Sequence, residues 1–439
     1  MAKLALIPLL AAALYVLFGG HAFMNYDTAY ALLWGRDMAD GALPDIELPL
    51  APTSHPLSNL AGMVVTPPIV DVLSYLFLAT AGYLVFRLGQ EWFGVAAGVA
   101  AALLFLTREP VLSFGLRAYV DLPFVCLVLG ALLLEVKKPR SGWPVLALLA
   151  LAGLLRPEAW MFSAVYVVWL RDWRLLPLAA SAPVLWCVYD LVVTGDPLWS
   201  LLGTRENAEE LGRKTGPVDL VLWGPRRLGE ILREPLLLGL VAGAVLAWRE
   251  RKRLPLVTLA LALAAFAILA TAGLPIITRY LLLTAALACV PAGAALVHGF
   301  QHRAWAPVSV LLLVVLLVFG PGQVDRIDRL ERSIGIQERI LDDLDALPAS
   351  AVEGCKPLAV TNRRPVPHLA LQFDALDPAE IVVGELQGAR TYIGPANREV
   401  AARFIFDRRD PVQVLPDVPP GFEQVAGNRS WTVLAACPA

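Results

Sequence analysis

Long runs of apolar residues follow one another along most of this chain, and they limit what it can fold into. A transmembrane helix needs about 20 apolar residues to cross a hydrocarbon core about 30 Å thick, and shorter helices are tolerated inside a bundle. Of the 439 residues, 57% are hydrophobic and only 17% are charged, which excludes an ordinary soluble domain. By the length criterion we count about eleven runs. They lie at 4–20, 66–86, 93–107, 121–136, 142–155, 158–170, 175–194, 235–248, 254–272, 280–299 and 306–322. The sequence therefore predicts a polytopic α-helical membrane protein.

The charges between the runs predict how the chain is oriented. The first run, 4–20, has the length of a signal peptide, but its cleavage region is unconvincing and it leads into a polytopic chain, so we interpret it as an uncleaved anchor. Lys and Arg concentrate in short gaps such as 137–140, 171–174 and 249–253. The positive-inside rule places these gaps in the cytoplasm. We therefore expect a multi-pass protein of the cell membrane with a cytoplasmic N-terminus and an extracytoplasmic C-terminus.

The first long outer loop in this topology spans 21–65. It begins with a predicted juxtamembrane helix, in which Tyr30, Leu33 and Trp34 would form a face at the membrane interface. Proline then recurs too often for a helix interior, so the rest of the loop is expected to be extended.

The second long outer loop spans 195–234 and contains a charged helical segment around Arg205 to Lys214. The sequence leaves two roles open for this loop. It covers a site, or it merely connects two spans.

The composition changes near Asp325, and we divide the chain there into a membrane module, 1–324, and an extracytoplasmic domain, 325–439. Apolar residues at helical spacing predict an amphipathic linker helix at 325–347. A small α/β domain is predicted from about 350 to 439. Its predicted strands are PLAVT, HLALQF, EIVVG, VQVL and WTVLAA, with a helix near NREVAARFIF.

Two of the five cysteines, Cys355 and Cys437, bracket this outer domain at its first and last predicted strands, while the other three lie in apolar runs. Disulfides form and persist in oxidising compartments. We therefore predict a disulfide between them, with two free thiols as the alternative.

Ionisable residues at membrane depth are costly and usually face a cavity or each other. In this chain they gather at the outer ends of successive runs. The group consists of Asp27, His55, Arg108, Glu109, Arg117, Asp121, Arg156, Glu158, Arg279 and Tyr280. If the runs form one bundle, these side chains converge on a single cavity open to the outside, where cations would bind the anionic head group of a lipid.

One anchor followed by a large outer loop that opens with an aspartate, NYDTAYALLWGRDMADGALP, resembles the GT-C superfamily of membrane glycosyltransferases. The likeness is to dolichyl-phosphate-mannose protein mannosyltransferases and bacterial aminoarabinose transferases. LLRPEAW, ITRYLLL and the outer C-terminal domain are similar in placement to members of that group. The mannosyltransferases often have an Asp-Glu pair in the first loop, whereas here Asp27 is followed by Thr28.

This resemblance implies transfer of a hexosyl or pentosyl group from a polyprenyl-phosphate donor to an acceptor hydroxyl at the outer face, with inversion. The acceptor would be a glycan, a lipid or a protein of the cell envelope. Asp27 would be the general base. The donor phosphate would be bound by Arg279 and Arg156, with Tyr280 and Arg117. The sugar or acceptor pocket would contain His55, Glu158, Asp121, Arg108 and Glu109.

Several of these residues also have a purely structural interpretation. Asp27 begins a predicted helix, where aspartate is a favoured N-cap. Arg156 and Glu158 would neutralise one another, and Arg279 beside Tyr280 would anchor the chain at the membrane interface.

Two further alternatives concern local pairing and metal binding. Arg117 and Asp121 have the i, i+4 spacing of a local ion pair, which we expect to form. His55 with Asp45 and Glu47 would be the ligands if a divalent cation were bound, although we expect no metal and no other cofactor.

Several function classes are excluded or disfavoured. No Walker pattern and no glycine fingerprint after a strand is present, which favours a lipid-linked donor over a nucleotide sugar. The net charge of -2 is not concentrated in a basic patch, so nucleic acid is not an expected partner. The main alternative is a transporter or flippase of a lipid-linked saccharide, which predicts an inverted repeat that we do not find. A third possibility is a non-catalytic membrane scaffold.

Overall fold

The structure, a computed structural model, describes residues 5–49, 51–406 and 414–437. Helices form most of the chain up to residue 345, as the apolar runs predict. The first nine are α1 (Leu6–Leu17), α2 (Tyr26–Ala39), α3 (Pro56–Gly62), α4 (Pro67–Phe93), α5 (Val95–Leu106), α6 (Glu109–Leu116), α7 (Asp121–Lys137), α8 (Trp143–Gly153) and α9 (Glu158–Leu170). The next seven are α10 (Leu176–Ala179), α11 (Ser181–Thr194), α12 (Trp199–Glu210), α13 (Gly216–Arg249), α14 (Arg253–Thr271), α15 (Leu282–His298) and α16 (Ala306–Asp345).

Within the described ranges, six helical segments are long and apolar enough to cross a membrane. They contain α4, α10 with α11, α13, α14, α15 and α16. The pair α5 and α6, bent by 66° at a short break, is a seventh candidate, and α1, α8 and α9 are shorter apolar helices. The chain is therefore a multi-pass integral membrane protein. Each predicted run falls on a helix or part of one, and the full number of spans stays a prediction.

The break inside α13 separates the second outer loop from the span that follows it. α13 begins at Gly216, inside the predicted loop, and its backbone leaves the helical region at Arg233, where φ is 57°. Pro235 follows two residues later. Because proline lacks an N–H and its ring clashes with the preceding turn, the helix cannot continue straight through this point.

The predicted linker helix is not a separate element, which corrects the sequence interpretation. α16 runs through 40 residues, about 60 Å at 1.5 Å per residue, or twice the hydrocarbon core. Leu330 and Ile334 pack into the core of the helical bundle. Ile340, Leu341 and Leu344 pack into the core of the C-terminal domain. One rigid helix therefore joins the two cores.

The C-terminal domain contains a five-stranded sheet in the order β2-β1-β3-β5-β4. The strands are β1 (Leu358–Val360), β2 (Val382–Val383), β3 (Thr391–Pro395), β4 (Glu423–Gly427) and β5 (Trp431–Ala435). β1 is parallel to β2 and β3, whereas β5 is antiparallel to β3 and β4. The helices of this domain are α17 (Ala349–Glu353), α18 (Val366–Gln372) and α19 (Arg398–Val400), which leads into a π-helical turn (Ala401–Ile405).

Three predicted strands, PLAVT, EIVVG and WTVLAA, contain β1, β2 and β5. HLALQF is not a strand but the greater part of α18, so that prediction is wrong. Proline at the start of α18 favours a helical first turn, and the buried positions are consecutive rather than alternating. VQVL begins outside the described residues, and its last two residues form no strand. β3 and β4 were not predicted, and the β4 residues are mostly exposed, so they lack an apolar face.

A disulfide joins Cys355 to Cys437, with their Cα atoms 6.4 Å apart. It connects the segment before β1 to the segment after β5, and so links the two ends of the domain. Cys126, Cys187 and Cys289 are free.

The aromatic face of α2 is buried, rather than lying at the membrane interface as predicted. Tyr30, Leu33 and Trp34 form a small cluster with residues of the first outer loop and with Ala370 of α18. The indole N–H of Trp34 donates to the carbonyl of Asp45 at 2.8 Å. The loop is thus packed between α2 and the C-terminal domain.

Candidate active site

Asp27 is held at the start of α2 by a neighbouring residue. Asn25 is the N-cap of this helix, and its side-chain oxygen accepts from the backbone N–H groups of Asp27 at 2.7 Å and Thr28 at 3.3 Å. Capping therefore does not use the Asp27 carboxylate, and the N-cap interpretation of Asp27 is wrong. The carboxylate is available for other contacts.

Two further bonds fix the position of this helix start. The side-chain amide of Asn25 donates to the carbonyl of Arg117. The hydroxyl of Thr28 donates to the carbonyl of Ala118 at 2.6 Å. The beginning of α2 is thereby attached to the turn between α6 and α7.

Arg279 contacts Asp27 from the turn before α15. It lies in a 3-10 turn, Thr278–Leu281, immediately before α15, and the hydroxyl of Thr278 donates to Glu230 of α13 at 2.7 Å. Nη1 of Arg279 donates to Oδ2 of Asp27 at 2.6 Å, and the guanidinium carbon lies 5.0 Å from the ring centre of Tyr119.

This pair sets the charge state of Asp27. Burial acts to raise the pKa of the Asp27 carboxyl, but the charge and the hydrogen bond of Arg279 outweigh it and hold that pKa below its ordinary value. The two side chains remain 20% and 18% exposed, so they stay accessible to a substrate. Asp27 is therefore an ionised, accessible carboxylate at neutral pH.

The pair faces a cavity of about 380 Å³. Its polar lining comes from the two long loops, the break between α8 and α9, α11, the turn before α15 and the C-terminal domain. It includes Tyr26, Asp27, His55, Arg156, Asp190, Arg205, Arg213, Arg279, Tyr280 and Arg363. Its apolar lining comes from helices of the bundle and from α12, and includes Trp160, Met161, Trp186, Leu198, Leu201, Ile268, Leu269 and Ala272. The cavity can thus accommodate a charged group and an apolar chain together.

Five of the ten residues singled out from the sequence line this cavity. They are Asp27, His55, Arg156, Arg279 and Tyr280. Asp121 and Glu158 do not line it but contact Arg156, while Arg108, Glu109 and Arg117 lie elsewhere.

Arg156 is already bound to two carboxylates. Its Nη2 donates to Glu158 at 2.5 Å, and its Nη1 donates to Asp121. All three side chains are buried. The guanidinium carbon also lies 3.9 Å from the ring centre of Tyr280. Mutual neutralisation, the structural alternative for Arg156 and Glu158, is thus present and includes Asp121 as a third member.

The expected local ion pair between Arg117 and Asp121 is not formed. Arg117 donates to the side-chain oxygen of Gln337 on α16 at 2.8 Å and to Ser113. Asp121 faces Arg156 instead. The i, i+4 rule does not apply here, because Arg117 ends α6 and Asp121 begins α7, with Ala118 between them at a φ of 54°. Arg108, in the break between α5 and α6, donates to the carbonyl of Leu104 of α5 at 3.1 Å.

Two arginines that were not predicted as binding residues line the cavity from the second outer loop. Arg205 lies on α12 and Arg213 just after it, and among the residues that the structure describes neither forms an ion pair. The Nε atom of each is buried without a hydrogen-bond partner. Burial and then the nearby charge of Arg279 lower the pKa of Arg213. In the sequence, only the charged helical segment around Arg205 to Lys214 pointed to these residues. Of the two roles left open for this loop, covering a site is the one that agrees with its place at the cavity.

His55 is neutral and packs against aromatic side chains. Burial and then the charge of Arg156 lower its pKa to about 3. Its ring centre lies 5.7 Å from that of Trp186 in an edge-to-face arrangement. In the described part of the chain, no three His, Cys, Asp or Glu side chains are grouped closely enough to hold a metal ion.

No protein-family model matches the sequence, and neither does any curated protein. Two solved structures of ArnT from Cupriavidus metallidurans are similar to this chain over nearly its whole length. For ArnT bound to undecaprenyl phosphate, the TM-score is 0.44 and the identity 15%, with 99% of this chain and 97% of that chain covered. For the apo state, the TM-score is 0.42 and the identity 16%, with 100% and 99% covered. ArnT is an aminoarabinose transferase. At these identities and at TM-scores below 0.5, the similarity carries no argument about the family or the function of this chain.

Proposed function

We propose that this protein is a GT-C-like glycosyltransferase that moves a sugar from a polyprenyl-phosphate donor to an acceptor hydroxyl at the extracytoplasmic face, without a metal ion. The observation that carries the proposal is the contact between Asp27 and Arg279 at the wall of a cavity with both a cationic and an apolar lining. A carboxylate that can take a proton and guanidinium groups that can hold a phosphate are the two functions that such a transfer needs.

The proposed reaction is an inverting displacement. The acceptor oxygen attacks the anomeric carbon while the bond from that carbon to the phosphate oxygen breaks, and its electron pair leaves with the phosphate. The acceptor proton passes to the Asp27 carboxylate. General base catalysis of this kind contributes about 10²- to 10⁴-fold to the rate.

The leaving phosphate gains negative charge during this step, and fixed cations stabilise that charge. Arg279, Arg213 and Arg205 are the proposed donor-binding residues, because they line the cavity and arginine binds phosphate bidentately. This modifies the role expected for Arg156, whose guanidinium is occupied by Glu158 and Asp121. We assign Arg156 to positioning Tyr280, on which it stacks.

The apolar lining fits the lipid part of such a donor. Met161, Ile268, Leu269 and Ala272 belong to apolar helices of the bundle and meet the cationic residues in the same cavity. A polyprenyl chain in this part would leave its phosphate beside the arginines. A free sugar or a nucleotide sugar would gain nothing from these side chains.

The test replaces Asp27 with Asn, which keeps the size of the side chain and removes its charge. Purified protein is offered radiolabelled polyprenyl-phosphate sugars, and labelled product is measured. We expect transfer to fall by about 10²-fold or more, while Asp37→Asn on the same helix but outside the cavity keeps wild-type activity. Full turnover by the Asp27→Asn protein would reject the assignment of the base. Movement of the labelled lipid across vesicles without product would favour the transporter.

A further inference from the structure

We propose that Arg363, a residue of the C-terminal domain, binds an anionic group, phosphate or carboxylate, on the acceptor. This inference rests on the proposed function and extends it to the class of acceptor. The geometry that points to it is the presence of a guanidinium from outside the membrane module in the same cavity as Asp27.

Arg363 lies close to Tyr26, the residue that precedes the proposed base Asp27 in the chain. Its guanidinium carbon lies 5.5 Å from the ring centre of Tyr26, and Tyr26 and Asp27 both line the cavity. An acceptor hydroxyl must reach Asp27 in order to lose its proton. A group attached to that acceptor can therefore extend toward Arg363.

The loop that carries Arg363 is held firmly to its own domain. The buried side chain of Asn362 donates to the carbonyl of Ile405 at 2.6 Å, and its oxygen accepts from the backbone N–H of Arg364 at 3.0 Å. The side chain of Arg364 donates to the carbonyl of Phe404 at 2.7 Å. Arg363, between these two anchored residues, lines the cavity.

The domain is also fixed relative to the helix that carries Asp27. Arg36 of α2 donates to the carbonyl of Ala370 at 2.8 Å and to Asp374 at 2.9 Å. Since Arg36 and Asp27 belong to one helix, these bonds hold Arg363 at a set distance from the base. A binding residue needs this kind of rigid support.

The charges on the cavity wall separate the two substrates. Arg205 and Arg213 come from the second outer loop, beside the apolar lining that suits the donor chain. Arg363 comes from the domain on the aqueous side, and its charge is near enough to Arg213 to act against it. Arg213 then serves the donor phosphate, and Arg363 places positive charge on the acceptor side, so an acceptor that carries an anion is preferred to a neutral one.

The experiment compares three acceptors with one scaffold: octyl glucoside, octyl glucuronide and octyl glucoside 6-phosphate. Their binding to the purified full-length protein is measured by calorimetry without donor, and the transfer of label from a polyprenyl-phosphate sugar is measured separately. Arg363→Gln removes the charge, and Arg363→Lys keeps it. Arg390→Gln, an exposed arginine of the same domain outside the cavity, is the control.

For the wild type and the control, we expect at least one anionic acceptor to bind about tenfold or more tightly than octyl glucoside, the effect of one charge-assisted hydrogen bond. Arg363→Gln should lose this preference and Arg363→Lys should keep part of it, with the KM for the donor unchanged in both. The glucuronide and phosphate arms identify the anion. If Arg363 only supports Tyr26, the affinity of the variants for all three acceptors will fall by the same factor.

Equal binding of the neutral and anionic acceptors by the wild type would overturn the inference, and so would a preference that persists in Arg363→Gln. Anion-dependent binding without any transfer of label would instead reject the proposed function and leave the binding site in place.

Discussion

The Asp27 carboxylate and the Arg279 guanidinium are in direct contact, with Oδ2 and Nη1 2.6 Å apart, although 252 residues separate them in the chain. The contact joins the first outer loop to the turn before α15. Because of this contact, the pKa of Asp27, the proposed base, depends on Arg279, the cation that is proposed to bind the donor phosphate. A phosphate that draws Arg279 toward itself would weaken its hold on Asp27 and make the carboxylate a stronger base when the donor is bound.

Arg279 should therefore control how activity depends on pH. In the wild type the pKa of Asp27 is held below its ordinary value, so the carboxylate stays ionised and the acidic limb of kcat/KM should lie below about pH 4. In Arg279→Gln the strongest influence that lowers the pKa of Asp27 is removed, so burial, which raises this pKa, is opposed mainly by the weaker effect of the Arg213 charge. The acidic limb should then move to higher pH, in addition to a loss of rate.

The measurement is the pH profile of kcat/KM, which reports groups of the free enzyme. Arg279→Lys serves as the control, because it keeps the positive charge and should leave the acidic limb close to that of the wild type. Identical limbs in the wild type and in Arg279→Gln would show that Asp27 is not the titrating base.

Arg213 should act mainly on the donor. It lines the cavity without an ion pair in the described residues, so Arg213→Gln should raise the KM for the polyprenyl-phosphate sugar by about tenfold, the effect of one charge-assisted hydrogen bond. Lys214→Gln, next in sequence but exposed and outside the cavity, should leave that KM unchanged. If both variants raise the KM equally, the effect is one of general surface charge rather than of a binding site.

Asp27 and Arg279 could be predicted from the sequence because each follows a local rule. An ionisable residue at the outer end of an apolar run must face a cavity or another charge, and both residues meet this condition. The rule does not say which charges meet. The i, i+4 spacing of Arg117 and Asp121 predicts a local pair, whereas Asp121 binds Arg156, 35 residues away.

Arg213 and Arg363 could not be assigned from the sequence because their roles depend on tertiary packing. Arg213 follows a polar helix that would suit any exposed loop, and only the docking of α12 on the first loop brings it to the cavity. One bond of that docking runs from the side chain of Asn207 to the carbonyl of Ala51 at 2.8 Å. Arg363 lies in a domain whose sheet was only partly predicted, since β3 and β4 lack a clear apolar alternation.

Asn25 should be needed both for stability and for the position of Asp27. Loss of an N-cap costs about 1 kcal/mol, and Asn25→Ala also removes the amide that donates to the carbonyl of Arg117. We expect a lower unfolding temperature in detergent and a reduced kcat. Asn25→Asp loses the amide donor but keeps the capping oxygen and adds a negative charge that the helix N-terminus stabilises, so it should keep more of the stability than Asn25→Ala. Equal unfolding temperatures for Asn25→Ala and the wild type would contradict this account of the helix start.

Substitutions of Arg156 distinguish most clearly between a donor-binding role and a structural role for this residue. Replacing it with Gln leaves Asp121 and Glu158 buried without their cation, and breaking a buried ion pair from one side costs about 3–5 kcal/mol. The thermal unfolding of Arg156→Gln should therefore show a large loss of stability. Adding Asp121→Asn and Glu158→Gln removes the unpaired carboxylates and should restore much of that stability, with the KM for the donor near the wild-type value. A stable Arg156→Gln protein with a strongly raised KM for the donor would mean instead that Arg156 leaves its carboxylates to bind the phosphate.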